Sequence, residues 1–221
     1  MIIVTALVAV AVATAQSATV SPTPAAPTRS GPVVVLETSM GDIRIALDEQ
    51  KAPITVKNFL TYARAGHYDG TVFHRVIPRF MVQGGGMDAT LKEKATRPPI
   101  KNEAANKLRN DRGTVAMART AEPNSATAQF FINVKNNASL DYGIGGPGYA
   151  VFGTVIDGMD VVDRIVAVPT TSMGGHQDVP VTPVVIKRAR VEGAARAPAG
   201  ASPEPIAKPA PARPASMPRG N

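Results

Sequence analysis

From Val33 onward the apolar positions recur mostly at every second residue, in short runs separated by glycine, proline and small polar residues, the pattern of half-buried strands. VVVLET and DIRIALD, joined through Ser39-Met40-Gly41, predict a β-hairpin in which Ile43, Ile45 and Leu47 share one face and Asp42, Arg44 and Ala46 the other, wet one. The period then changes. Pro53 suits a first helical turn, Val56, Phe59, Leu60 and Ala63 follow at helical spacing, and Gly66 can close the helix in a left-handed cap. Strand character returns in FHRVIPRFMVQGG (residues 73–85), which Pro78-Arg79 breaks into two extended pieces and Gly84 to Gly86 end. Alternation in the second piece places Met81 and Gln83 on one face and Phe80 and Val82 on the other, unless the turn twists Phe80 back. Residues 87–112 lack regular apolar spacing and contain Pro98-Pro99, so they read as a long ordered loop. Strands resume at residue 113, then over 130–134 and 150–156, the last two bracketing a glycine-rich loop at 136–148. Asp157 or Gly158 opens a second helix with Met159, Val162, Ile165 and Val166 on its inner stripe, stopped before Pro169, and 184–191 is the last strand. About eight short strands, two helices and no strand–helix–strand rhythm predict a mainly β fold. The architecture expected is a closed eight-stranded antiparallel barrel, which disposes of sheet edges, capped by the two α-helices.

Both ends of the chain depart from this pattern. Residues 1–15 are an almost uncharged apolar run, too short to span a bilayer as a mature helix. With the small residues of Ala13-Thr14-Ala15 they read as a signal peptide cleaved before Gln16, which predicts an exported, periplasmic protein. The α-amino group is the only charge at the start of that run, so retention as an anchor stands as the alternative. Residues 16–32, made largely of Ser, Thr, Pro and Ala, are expected to be a flexible linker, 33–193 a single domain, and 194–221, with seven prolines, a disordered tail.

Charge and composition change this picture little. The net charge of +7 is concentrated at the ends: Arg196, Lys208, Arg213 and Arg219 against Glu204 put +3 on the tail, Arg29 adds one, and the domain keeps about +3. A nucleic-acid role for the basic tail finds no aromatic residue there to stack on bases. The absence of cysteine excludes a disulfide framework and any thiolate ligand or nucleophile, and His67, His74 and His176, the only histidines, match no metal spacing. His74 is expected to be a hydrogen-bonded structural residue. No long amphipathic seam is left over after the two covering helices, so a monomer is expected.

One strand segment carries more polar chemistry than packing explains. Arg75 and Gln83 sit among Phe73, Val76, Ile77, Phe80, Met81 and Val82, although unpaired polar groups are costly to bury. A second island, residues 113–120 followed by 125–134, sets Arg119 and Gln129 against Phe130 and Phe131 in the same way. Together FHRVIPRFMVQGG, AMART, SATAQFFINV, NASLDYG and GYAVFGTVIDGMDVVDRI resemble the cyclophilin family of peptidyl-prolyl cis/trans isomerases, most closely its secreted bacterial members, over residues 33–191. The resemblance implies the same barrel, isomerase activity without metal or cofactor, and proline-containing polypeptides, unfolded or folding, as substrates. It further implies that Arg75 is catalytic, that Phe80, Met81, Phe131 and Leu140 line the proline pocket, and that Gln83 orients the substrate carbonyl. Ala118 and Arg119 then fall on a short strand whose backbone pairs with the peptide, and Tyr149 on the rim.

The chemistry is consistent with that residue set. Rotating an X-Pro bond makes and breaks no covalent bond; the obstacle is amide resonance, about 18–20 kcal/mol. When the bond twists, the imide nitrogen regains its lone pair, and a cationic donor fixed beside it stabilises the twisted state more than either planar one. Arg75 is the candidate donor, and an apolar cup of aromatic and thioether surfaces would hold the ring. A barrel that grips proline-containing segments without turnover is the competing function, and Arg75 argues against it. Three positions depart from the family pattern: Ser139 and Tyr149, where animal cytosolic members carry tryptophan and histidine, and Arg79, where glycine is usual. Ser139 implies weak inhibition by cyclosporin, and the two rim positions leave drug binding and substrate preference open.

Overall fold

The computed structural model describes residues 31–144 and 146–193; the leader, nearly all of the linker and the tail expected from the sequence lie outside the described residues. In chain order the elements are β1 (Val33–Thr38), β2 (Gly41–Leu47), α1 (Pro53–Arg64), β3 (Thr71–Ile77), β4 (Met81–Asp88), β5 (Thr114–Met117), β6 (Phe130–Asn133), β7 (Val151–Asp157), α2 (Met159–Val166), β8 (Thr170–Met173), β9 (His176–Pro180) and β10 (Val185–Val191). Eight strands close into a barrel in the order β1-β10-β3-β4-β6-β5-β7-β2, each pair antiparallel.

The expected alternation fills the barrel. Ile43, Ile45 and Leu47 of β2 point inward with Val34 and Leu36 of β1, and they meet Val76, Val82, Val115, Ile132 and Phe152 from across the lumen. Ala46 departs from the expected wet face: registered between the half-buried Val33 and Thr154, it is itself buried.

Helix α1 lays Val56, Phe59, Leu60 and Ala63 on this core, the stripe that the spacing predicts. Gly66 follows in the left-handed conformation, its N–H bonded to Ala63 O at 3.1 Å. No local side chain caps its first turn. Glu103, from the long loop, does so instead, accepting from Ile54 N at 3.1 Å and Thr55 N at 2.8 Å, which places a carboxylate where the helix dipole favours one. Helix α2 starts from Gly158 at φ +84 and buries Val161, Val162 and Ile165.

Two features depart from the alternation. Gly84 to Gly86 do not end β4, which runs on to Asp88; they carry an irregularity instead. Between Thr71 and Phe73 the partner on β4 jumps from Asp88 to Gly84, and between Phe73 and Arg75 it advances by a single residue, from Gly84 to Gln83. His74 is thus an extra residue in β3, a bulge that reverses the facing of the strand. Phe73 points into the core, and Arg75, two residues on, points out. The second feature is the β8–β9 hairpin, which no alternation announced because all four residues of β8 are exposed. Its turn is Gly174-Gly175, both at positive φ, a favoured two-residue hairpin connection.

Candidate active site

Register across the barrel wall builds the site. Arg75 of β3 is opposite Gln83 of β4, Gln83 opposite Phe131 of β6, Phe131 opposite Ala116 of β5, and Ala116 opposite Val151 of β7. Residues directly opposite one another share a face. Their sequence neighbours Val76, Val82, Ile132, Val115 and Phe152 fill the interior, so this row faces outward. Met81, Ala116, Phe131 and Val151 form a second apolar cluster there, against which Ile77, Phe80, Leu108, Ala118, Leu140 and Tyr149 pack.

All the apolar positions singled out from the sequence therefore converge. Phe80 joins them because the turn does twist it back: Phe80 N bonds Ile77 O at 3.1 Å, and Arg79 takes φ +62. Proline at the second position and positive φ at the third is the type II pattern, which explains why glycine would fit at Arg79 more easily. Ile77, Ala116, Val151 and Leu108 were not singled out, although Ala116 and Val151 follow from parity once Val115 and Phe152 are placed inside. An open cavity of about 250 Å³ shares Leu108 and Val151 with the cluster, and polar Asp48, Lys107, Arg109 and Asp111 are among its other walls.

The polar groups stand along one side. The Arg75 side chain is 45% exposed, with its Nε 3.9 Å from Asp178 Oδ2. Asp178 comes from β9 at φ +59, a neighbour that no sequence pattern announces. Gln83 Nε2 donates to Gln129 Oε1 at 2.9 Å. Ala118 and Arg119 are not in a strand, contrary to expectation: β5 stops at Met117, and Ala118 N bonds Gln129 O at 3.0 Å as the chain leaves the sheet. The Arg119 side chain is engaged rather than incidental. Its guanidinium lies 4.3 Å from the Tyr149 ring centroid and its Nε donates to Gly148 O at 3.0 Å, while Tyr149 meets Phe131 edge-on at 5.7 Å. This stack occupies the rim. Ser139 is exposed on the short turn of helix at Ala138–Leu140, beside Leu140.

Behind Arg75, His74 is buried, and its Nδ1 has no hydrogen-bond partner among the described residues. Burial, reinforced by the like charges of His176 and Arg75, pushes its pKa down to about 4, and hydrogen bonds, one with Gln129, offset only part of this. The imidazole is thus neutral at pH 7. Because the folded-state pKa lies below the ordinary value near 6.5, its contribution to stability is complete above about pH 6.5 and is lost as pH falls toward 4, in total about 3 kcal/mol. Urea midpoints measured from pH 7 to pH 4 should fall, and His74→Gln should flatten the part of the fall between pH 6.5 and 4. Equal slopes in the two proteins would show that His74 does not drive it.

A closed barrel with an apolar cup, a guanidinium and an amide on its outer wall defines a class of barrel whose site lies on the wall rather than in the lumen. The comparisons narrow the class. The family model described as cyclophilin type peptidyl-prolyl cis-trans isomerase/CLD matches residues 33–191. The chain is 59% identical over 158 residues to peptidyl-prolyl cis-trans isomerase A of Dickeya dadantii, covering 72% of this chain and 83% of that one. It is 56% identical over 162 residues to peptidyl-prolyl cis-trans isomerase B of Escherichia coli, covering 72% and 99%. Among solved structures, a Cryptosporidium parvum cyclophilin crystallised in the presence of the dipeptide Ala-Pro aligns with TM-score 0.63 at 28% identity, over 73% of this chain and 99% of that one. The chain belongs to the cyclophilin family and is a peptidyl-prolyl cis-trans isomerase, acting on proline-containing peptides.

Proposed function

We propose that this isomerase accelerates X-Pro rotation in exported proteins while they fold, with Arg75 stabilising the twisted imide beside a proline cup of Phe80, Met81, Phe131 and Leu140. The observation that carries the chemistry is the outward row from Arg75 through Gln83 to Phe131. Two strand spacings separate the ends of that segment, about 10 Å between backbones, the scale of a proline ring with its preceding amide and a long guanidinium side chain reaching toward it. Gln83, braced by Gln129, keeps a second amide hydrogen for a substrate carbonyl. The loop backbone at Ala118 and Arg119 borders the peptide's path, and Tyr149, with Arg119 stacked on it, bounds the cup. An Arg75→Ala protein that keeps peptide binding and loses turnover is the test. Equal loss of both would make Arg75 a binding residue, and loss of neither would remove it from the site.

Export to the periplasm rests on the apolar run at residues 2–13 and the small residues that follow it, and the monomeric state on the lack of a spare amphipathic seam in the sequence. Protein recovered from the periplasm of a producing cell should have the intact mass of a chain beginning at Gln16. A mass that includes Met1 would overturn the cleavage.

A further inference from the structure

Behind the apolar cup lies a chain of buried polar side chains that the proposed chemistry does not use. Asn110, Asn133, Asn137 and Asp141 retain only 1%, 0%, 4% and 7% of their exposure, and buried amides persist where their hydrogen bonds are made. Asn137 Nδ2 donates to Phe80 O at 2.9 Å and to Asn133 Oδ1 at 2.7 Å. Asn133 Nδ2 passes the link on to Thr114 Oγ1 at 3.0 Å and Asn110 Oδ1 at 3.3 Å. Asn110 Nδ2 then reaches Leu140 O at 3.1 Å and Tyr149 O at 3.4 Å, and Asp141 Oδ1 accepts from Asn110 N at 2.7 Å and from Asn110 Nδ2 at 3.1 Å.

The three backbone carbonyls at which this chain ends belong to Phe80, Leu140 and Tyr149, which pack on the apolar cluster from two separate loops. None of the three lies in a barrel strand. Phe80 is in the turn between β3 and β4, held besides by Val134 N at 3.1 Å from its carbonyl, while Leu140 and Tyr149 come from the loop between β6 and β7. Phe131 and Met81, by contrast, are fixed by the sheet itself. The sheet sets the floor of the cup, and the amide chain sets its walls.

We propose that Asn137, acting with Asn133 and Asn110, is a positioning residue of the isomerase: it fixes the distance between the Phe80 wall and the Leu140–Tyr149 wall and so fits the cup to a five-membered ring. The inference rests on the reading of Phe80 and Leu140 as walls of the proline cup. Asn137 touches no substrate. Its effect is geometric, and its loss would widen the cup without removing any apolar surface.

Ring-size discrimination tests this. kcat/KM is measured on two matched peptides, one with an X-Pro bond and one with the six-membered pipecolate ring in place of proline, for the unmodified protein, Asn137→Asp, Asn137→Ala and Phe80→Ala. Asn137→Asp keeps the shape and removes the donor to Phe80 O; Asn137→Ala serves if the buried carboxylate prevents folding. The expected result is about a tenfold fall on the proline peptide and at least a threefold fall in the proline-to-pipecolate ratio. A loss of folded protein would lower both rates together and leave the ratio unchanged. An unchanged ratio in the Asn137 variants, with a changed one in Phe80→Ala, would overturn the positioning role while keeping the cup. An unchanged turnover and ratio in Phe80→Ala would show that the cup itself is misplaced, and the proposal would fall with it.

Discussion

Replacing Arg75 with alanine is expected to lower turnover of a short X-Pro peptide by about two to three orders of magnitude, the scale seen when one preorganised transition-state donor is removed. The fold should survive the change. Arg75 is nearly half exposed, its ion pair with Asp178 is long at 3.9 Å, and exposed pairs of this kind contribute about 0–1 kcal/mol. The His74 bulge that turns Arg75 outward is a backbone feature and does not depend on the guanidinium. A donor used chiefly in the twisted state adds little to ground-state affinity, so peptide binding should fall much less than the rate. Line-shape analysis of the exchanging peptide gives both quantities from one titration. Turnover within a factor of three of the unmodified protein would rule out Arg75 as the donor.

Gly85→Ala is expected to lower stability strongly. Gly85 lies in β4 at φ +84, and an added Cβ would come within 2.8 Å of the Phe130 ring and 2.9 Å of the Tyr68 ring. Neither ring can yield easily. Phe130 and Tyr68 are fully buried, meet edge-on at 5.6 Å, and both pack on Phe59; Tyr68 is also tied by its hydroxyl to Ala128 O at 3.0 Å. Left-handed backbone costs an alanine about 1–2 kcal/mol, and overpacking a tight core typically adds about 1–3 kcal/mol. A domain of this size then loses roughly 10 °C in melting temperature. Thermal unfolding followed by circular dichroism reads this directly, and a shift under about 3 °C would show that the aromatic cluster can move aside.

Strand parity and helical spacing carried much of the architecture, because the barrel has a dry inside and a largely wet outside and α1 lies on its core by one stripe. They failed where the backbone leaves its regular period. Nothing in the alternation of β3 reveals that His74 is extra, so the outward facing of Arg75 could not be read from parity; the glycines at 84–86 hinted at irregularity but not at its place. The β8–β9 hairpin was invisible for the opposite reason: it buries little, and only Gly174-Gly175 marked its turn. Within the site, the apolar members were named by the family resemblance, since Phe80, Met81 and Phe131 taken alone read as ordinary core packing. Asp178 and the Asn110–Asn133–Asn137 chain were not named, since hydrogen bonds between distant loops leave no periodic trace, and an asparagine in a loop looks solvated until its partners are placed.

The position of the cup on the outer wall of a closed barrel has a consequence for the kind of chain it can serve. The cup lies on the outside of the wall and not in the lumen, so a polypeptide can be laid against it sideways. No free end has to be threaded, and the barrel need not part to admit or release it. A proline far from either terminus is then as accessible as one in a short peptide, provided that the few residues around it can lie extended. What the wall gauges is local slack in the chain: an X-Pro bond already locked into a packed neighbour is out of reach, while the same bond in a segment still waiting to pack is not.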